Sequence, residues 1–205
     1  MIGHGRLIAF EGGEACGKST QSALLAGRVG AVLTREPGGT AIGERVRVLL
    51  LGAGTVDLHP RAEALLMAAA RAQHVAEVVA PALAAGRHVV TDRFSHSSLA
   101  YQGYGRGLDL DELRRLSHWA TGGLWPDLVI LLDLPPGTAL ATPAAPDRFE
   151  IEAGEFHQRV TDGFRALATG DPEHWRVVDA TGTVDEVAAR VWAAVSPTFD
   201  AAETR

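Results

Sequence analysis

The chain has little sulfur chemistry to offer. Its 205 residues include one cysteine, Cys16, so no disulfide can close within it and no cysteine-rich zinc site can form. A lone thiol suits a reducing compartment. Long apolar runs are also missing. With no stretch of about 18 apolar residues, no membrane span is expected. Near the N-terminus, Leu7-Ile8-Ala9-Phe10 breaks at Glu11, too short for a secretory signal core. Positive charge is in deficit: 19 Lys and Arg against 25 Asp and Glu give a net charge of −6. That balance argues against a partner such as nucleic acid or an anionic membrane and leaves room for a small polyanion in one local basic pocket. Aromatic residues are few (6%), but hydrophobic residues reach 46%, which excludes a disordered or collagen-like chain. No Ser/Gly linker or internal repeat divides the sequence. The expectation is a single domain over 1–205, soluble and cytoplasmic.

What is present reads as alternating strands and helices. Leu7-Ile8-Ala9-Phe10, Ala31-Val32-Leu33-Thr34, His88-Val89-Val90-Thr91, Leu128-Val129-Ile130-Leu131-Leu132 and Trp175-Arg176-Val177-Val178 are short apolar runs. A helix is expected from Lys18 to about Val29. An Ala-rich helix should start at Pro60, loosen at Pro81 and stop at Gly86. Helical patterns also cover 109–120, 151–169 and 184–194, with fraying expected from Ser196. Continuous apolar strands separated by helices imply an α/β fold, a parallel sheet covered on both faces. Gly137 to Pro146 is neither apolar nor periodic and reads as a loop.

Gly12-Gly13-Glu14-Ala15-Cys16-Gly17-Lys18-Ser19 fits G-x-x-x-x-G-K-[ST], between an expected strand and an expected helix. Glycines let successive N–H groups turn inward onto phosphate oxygens, and the helix N-terminus adds partial positive charge. Lys18 neutralises the β- and γ-phosphates, and the Ser19 hydroxyl can ligate Mg²⁺. The ATP-binding candidates are therefore Gly12, Gly13, Glu14, Ala15, Cys16, Gly17, Lys18, Ser19 and Thr20. Cys16 either carries a thiol activated by Lys18 and the helix end or fills a small-residue slot.

Ligands of open parallel sheets sit at strand carboxyl ends. Arg35-Glu36 ends the second expected strand and Asp92-Arg93 the third, with Arg71 projecting from the helix before it. Arg35, Arg71 and Arg93 are candidates to converge on a second anionic group, since arginine forks bind phosphate in bidentate fashion. Asp92 is a candidate acceptor for water on Mg²⁺, with Ser19 as the other metal candidate.

These stretches also resemble a known family. Glu11-Gly12-Gly13-Glu14 with Gly17-Lys18-Ser19-Thr20-Gln21, then Thr34-Arg35-Glu36-Pro37-Gly38-Gly39-Thr40, then Asp92-Arg93-Phe94 with Ser97-Ser98-Leu99-Ala100-Tyr101-Gln102-Gly103, and finally Asp147-Arg148-Phe149-Glu150 are similar to bacterial thymidylate kinase motifs, in order and spacing. The resemblance spans about residues 7 to 194. It implies a P-loop kinase fold: a five-stranded parallel sheet, helices on both faces and a short lid near 137–148. It implies transfer of the ATP γ-phosphoryl group to dTMP with Mg²⁺, usually by a homodimer. It puts Glu14 at the deoxyribose 3′-hydroxyl, Arg35 and Arg93 on the dTMP phosphate, Arg71, Ser98 and Gln102 at the base, and Tyr101 near C2′.

Three departures from the family pattern bear on function. The loop has no arginine and neither does 137–146, which leaves Arg148 to supply positive charge to the transferring group, beside Lys18 and Arg93 as catalytic candidates. Met67 stands where a phenylalanine usually stacks on thymine; methionine is apolar and adaptable. Ser95-His96 replaces a stretch that often carries an aspartate, leaving one fewer carboxylate expected near the phosphates. These departures keep two alternatives in view: a kinase for another deoxynucleotide or modified pyrimidine, and a nucleotide-binding regulatory module with weak catalysis.

Overall fold

The computed structural model describes residues 5–52, 58–135 and 147–200. In chain order it runs β1 (Leu7–Glu11), α1 (Lys18–Val29), β2 (Val32–Arg35), α2 (Ala41–Leu51), α3 (Pro60–His74), α4 (Ala80–Ala84), β3 (Val89–Asp92), α5 (Ser95–Ser98), α6 (Leu110–Thr121), β4 (Leu128–Asp133), α7 (Gly154–Gly170), β5 (Trp175–Asp179) and α8 (Val184–Asp200). The five strands form one parallel sheet in the order β2-β3-β1-β4-β5. The segment 137–146 of the expected lid lies outside the described residues.

Alternation along the central strands explains the two covered faces. Ile8, Phe10, Val90 and Ile130 pack with Leu25 of α1 and with Val187, Val191 and Val195 of α8. Leu7, Ala9 and Val89 point the other way, onto Val75, Val79 and Leu83. Val129 and Leu131 meet Phe156, Val160 and Phe164 of α7 on that same side. Parallel strands buried on both faces need apolar residues at every position, which is how β1 and β4 read in sequence.

Proline and glycine mark the helix from Pro60 as expected, with one addition. A π-helical turn, Val75–Val79, joins α3 to α4 just before Pro81. The wider turn accommodates a ring that offers no N–H and crowds the preceding carbonyls. Gly86 ends it at φ +72°. A second π-helical segment, Leu99–Gly105, continues α5. Two expectations are corrected at this level. Helix α2 was not anticipated after Gly39; Thr40 caps it, accepting a hydrogen bond from the Gly43 N–H. The C-terminal helix, expected over 184–194 with fraying from Ser196, runs through Pro197 to Asp200.

Candidate active site

The phosphate-binding loop follows from β1 directly. Gly12 has φ +147°, and a β-carbon there would stand 2.6 Å from the Leu132 carbonyl oxygen, so only glycine fits. Gly17 precedes α1 in the left-handed region, at φ +89°. The first turn of α1 then presents Lys18 and Ser19. The Lys18 Nζ donates to the Gly13 carbonyl at 2.5 Å and lies 3.5 Å from the Cys16 Sγ. Cys16 itself is buried and packs into the core with Phe10 and Ile130. Its side chain thus occupies a small slot beneath the loop.

Next to the loop lies a cavity of about 520 Å³, ample for a nucleotide. The carboxyl ends of β2 and β3 deliver Arg35, Asp92 and Arg93 to its wall, and α3 delivers Met67 and Arg71. Ser98, Tyr101 and Gln102 line it from α5 and the π-helical segment after it. Along α3, Glu63, Met67 and Arg71 are spaced by four residues and therefore share one face.

Arg93 is the centre of the polar wall. It has φ +70°, an uncommon conformation for a side-chain-bearing residue. One guanidinium nitrogen donates to the Gly12 carbonyl (3.1 Å) and the Ser97 hydroxyl (3.3 Å); the other donates to Glu14 at 2.8 Å. The Tyr101 hydroxyl donates to the same Glu14 oxygen. Burial alone would raise the Glu14 carboxyl, but Arg93 and Lys18 outweigh it and hold it down at about 2. Behind this wall Glu11 is fully buried. It accepts from the backbone N–H of Phe94 and Ser97 and from the Ser97 hydroxyl at 2.6 Å, which fixes the start of α5. Burial pushes its carboxyl up to about 7. Ser97 is therefore not a simple helix cap; it links Glu11 to Arg93.

Arg71 is 2% exposed and belongs to a buried chain. Its Nε donates to Glu36 at 2.7 Å, and its Nη2 donates to the Ser98 hydroxyl and the Phe94 carbonyl. The other Glu36 oxygen faces His74 Nδ1 at 2.9 Å, and His74 Nε2 meets the Thr34 hydroxyl at 2.7 Å. The remaining Arg71 nitrogen, Nη1, is buried and has no partner among the described residues. An unpaired buried donor on a cavity-lining guanidinium is a binding group awaiting an acceptor.

Ser19 and Asp92 also come together, with the Ser19 hydroxyl donating to the Asp92 carboxylate at 2.5 Å. Two hard oxygen donors beside a phosphate loop fit Mg²⁺, which takes few protein ligands and completes its shell with phosphates and water. No cluster of three or more His, Cys, Asp or Glu suited to a metal exists among the described residues.

One expectation needs correction. Arg148 does not line the cavity. Its guanidinium donates to Glu63 at 2.6 Å and to the Leu50 carbonyl at 2.8 Å. Glu63 is fully buried, so its carboxylate requires charged partners, and Arg148 is one of them. His96, from the stretch that often carries an aspartate, packs among aromatic rings. Its ring sits between Trp125 and Trp175, with centroids 5.2 and 4.9 Å away, and burial drops its pKa to about 3.

Several residues of the cavity wall escaped the sequence reading. Arg47 lines it from α2 and donates to the Pro37 carbonyl; burial and the neighbouring Arg35 lower its pKa. Glu36 and Phe149 line it as well. The signal for Arg47 was available, because Thr40 followed by the apolar spacing Ile42, Val46, Leu49 and Leu50 marks a capped helix. Arg35 reaches the cavity from the end of β2 but is half exposed and pairs with Glu44 at 3.1 Å.

A parallel sheet of order β2-β3-β1-β4-β5, with a G-x-x-x-x-G-K-S loop between β1 and α1 and arginines at neighbouring strand ends, defines a P-loop nucleotide phosphotransferase. A family model described as thymidylate kinase matches residues 10–191. Relatives include a thymidylate kinase from Synechococcus sp. (strain JA-2-3B'a(2-13)), 54% identical over 195 residues covering 93% of this chain and 94% of the relative. A thymidylate kinase from Thermomicrobium roseum is 50% identical over 92% of this chain and 93% of its own. The crystal structure of thymidylate kinase from Ehrlichia chaffeensis superposes with a TM-score of 0.79 at 31% identity, covering 93% of this chain and 98% of that one. The chain belongs to the thymidylate kinase family.

Proposed function

We propose that the chain transfers the γ-phosphoryl group of ATP to dTMP, giving dTDP and ADP. The observation that carries this reading is the unpaired Arg71 Nη1, buried in the wall of a cavity that begins at the phosphate loop. An unpaired guanidinium nitrogen and a triphosphate cradle on the wall of one cavity suit a base and a phosphate held together. The acceptor is already a phosphate oxygen, so no protein base is required; the work is alignment and charge cancellation.

In this reading the N–H groups of the loop from Gly12 to Thr20 and the Lys18 ammonium hold the ATP phosphates. Arg35 and Arg93 hold the dTMP phosphate in line with them. Glu14, fixed by Arg93 and Tyr101, accepts from the deoxyribose 3′-hydroxyl, and Tyr101 crowds C2′. Met67, Arg71, Ser98 and Gln102 surround the base. Ser19 and Asp92 would hold Mg²⁺, which would screen the charge of the ATP phosphates. The test is ADP release with ATP and Mg²⁺ against dTMP, dUMP, dCMP, dGMP and dAMP. Strong turnover with dTMP and weaker turnover with dUMP is expected. ATP binding without turnover on any acceptor would overturn the reading in favour of a regulatory module.

The reading includes a homodimer in the cytoplasm, residues 1–205 forming one kinase domain. Trp119 on α6 is 81% exposed, and Leu65 on α3 and Ile42 and Val48 on α2 are also exposed. Helix α3 packs against both α2 and α6, so these apolar side chains sit on three adjoining helices. Trp119→Glu is expected to shift the light-scattering mass from dimer to monomer; an unchanged dimer would exclude this face. None of the described helices is long and apolar enough to cross a membrane.

A further inference from the structure

Glu63 lies on the same face of α3 as Met67 and Arg71, two turns from Arg71, and is fully buried. It faces three donors. Arg148 holds one carboxylate oxygen at 2.6 Å. The side-chain amide nitrogen of Gln102 donates to the other at 2.7 Å. Arg106 pairs with the group at 3.3 Å. A carboxylate offers only acceptors, so the amide must present its NH₂ end to Glu63. Gln102 is 1% exposed and lines the cavity, and its carbonyl Oε1 accepts no hydrogen bond among the described residues. The cavity thus meets one fixed donor, Arg71 Nη1, and one fixed acceptor, Gln102 Oε1.

This inference rests on the reading of the cavity as the dTMP site. Thymine shows an acceptor at O4 beside a donor at N3–H. Cytosine shows the reverse, a donor at N4 beside an acceptor at N3. We propose that Glu63 is a positioning residue that sets the amide orientation of Gln102, and thereby the preference of the cavity for a thymine over a cytosine edge. Discrimination of this kind is large because the wrong base leaves buried polar groups unpaired.

Glu63→Gln tests it. Arg148 retains the carbonyl of the new amide, which turns its NH₂ toward Gln102 and flips that residue, so a donor now faces the base. Against dTMP, KM is expected to rise at least about tenfold with kcat within about threefold, a selective loss of ground-state and transition-state binding alike. The kcat/KM ratio of dTMP over 5-methyl-dCMP is expected to fall at least about tenfold. Placed on Gln102→Ala, Glu63→Gln is expected to add nothing, because the two act as one unit. Additive penalties in that cycle, or unchanged selectivity in Glu63→Gln, overturn the proposal. A wild-type enzyme that uses 5-methyl-dCMP as well as dTMP overturns it without any variant, which covers the case in which Glu63→Gln fails to fold. A wild-type enzyme inactive on dTMP would instead remove the functional reading beneath it.

Discussion

Lys18→Ala is expected to slow phosphoryl transfer about 10³-fold while leaving a folded protein that still binds dTMP. Lys18 is buried, but its ammonium donates within the loop, to the Gly13 carbonyl, rather than into the hydrophobic core. In the proposed complex the ammonium would leave that carbonyl for the β- and γ-phosphates, between which charge shifts along the reaction. Removing one preorganised donor from a developing charge costs about 10²–10³ in rate; a full cation at the transferring group should lie at the upper end. Single-turnover kinetics with saturating ATP and dTMP would measure the loss, with a thermal melt as the control for folding. A variant that keeps more than about a tenth of wild-type turnover would show that the loop lysine has no part in the chemistry. Because Lys18 also helps hold the Glu14 carboxyl at about 2, the variant should raise that group while Arg93 keeps it ionised at neutral pH.

Arg93→Lys should be nearly as damaging although it keeps the charge. Arg93 spans Gly12, Ser97 and Glu14 with two nitrogens, and an ammonium cannot reach both sides or grip a phosphate with a fork. The expected fall in kcat/KM for dTMP is about 10²–10³. The KM for ATP should change far less, since the loop is intact. The substitution keeps a long side chain at the φ +70° position, so the backbone strain is the same in both proteins and the comparison isolates the fork. Equal losses for ATP and dTMP would mean that Arg93 serves mainly to shape the loop through Gly12.

The strands, the loop and the strand-end arginines were legible because each is a local pattern. A continuous apolar run followed by G-x-x-x-x-G-K-S specifies a strand, a turn and a helix within fifteen or so residues. Arg35 and Asp92 fall at the last positions of β2 and β3, one residue later than the runs suggested, and that shift leaves their place at the strand ends unchanged. The pairings were not legible. Glu63 and Arg148 are 85 residues apart, and nothing in either neighbourhood announces the other. The sequence therefore offered Arg148 to the phosphates, when a buried carboxylate on α3 holds it. The surroundings of His96 were hidden for a similar reason: Trp125 and Trp175 come to it from before β4 and from the start of β5, a meeting that only the folded sheet creates. Helix α2 is a different case, since its cap and apolar spacing were on view and went unread. Arg47 was lost with it.

The loop lysine has a consequence for labelling. Of the 19 basic side chains, Lys18 is the sole lysine and the other 18 are arginines. The ε-amine in the phosphate loop is thus the only one the chain possesses, and it is largely shielded from solvent. Acylating or reductively methylating reagents find no competing lysine on the surface. An isotopic methyl group installed at that nitrogen would give the only lysine resonance, told apart from that of the N-terminal α-amine by the latter's lower pKa, and would report nucleotide occupancy from inside the cradle.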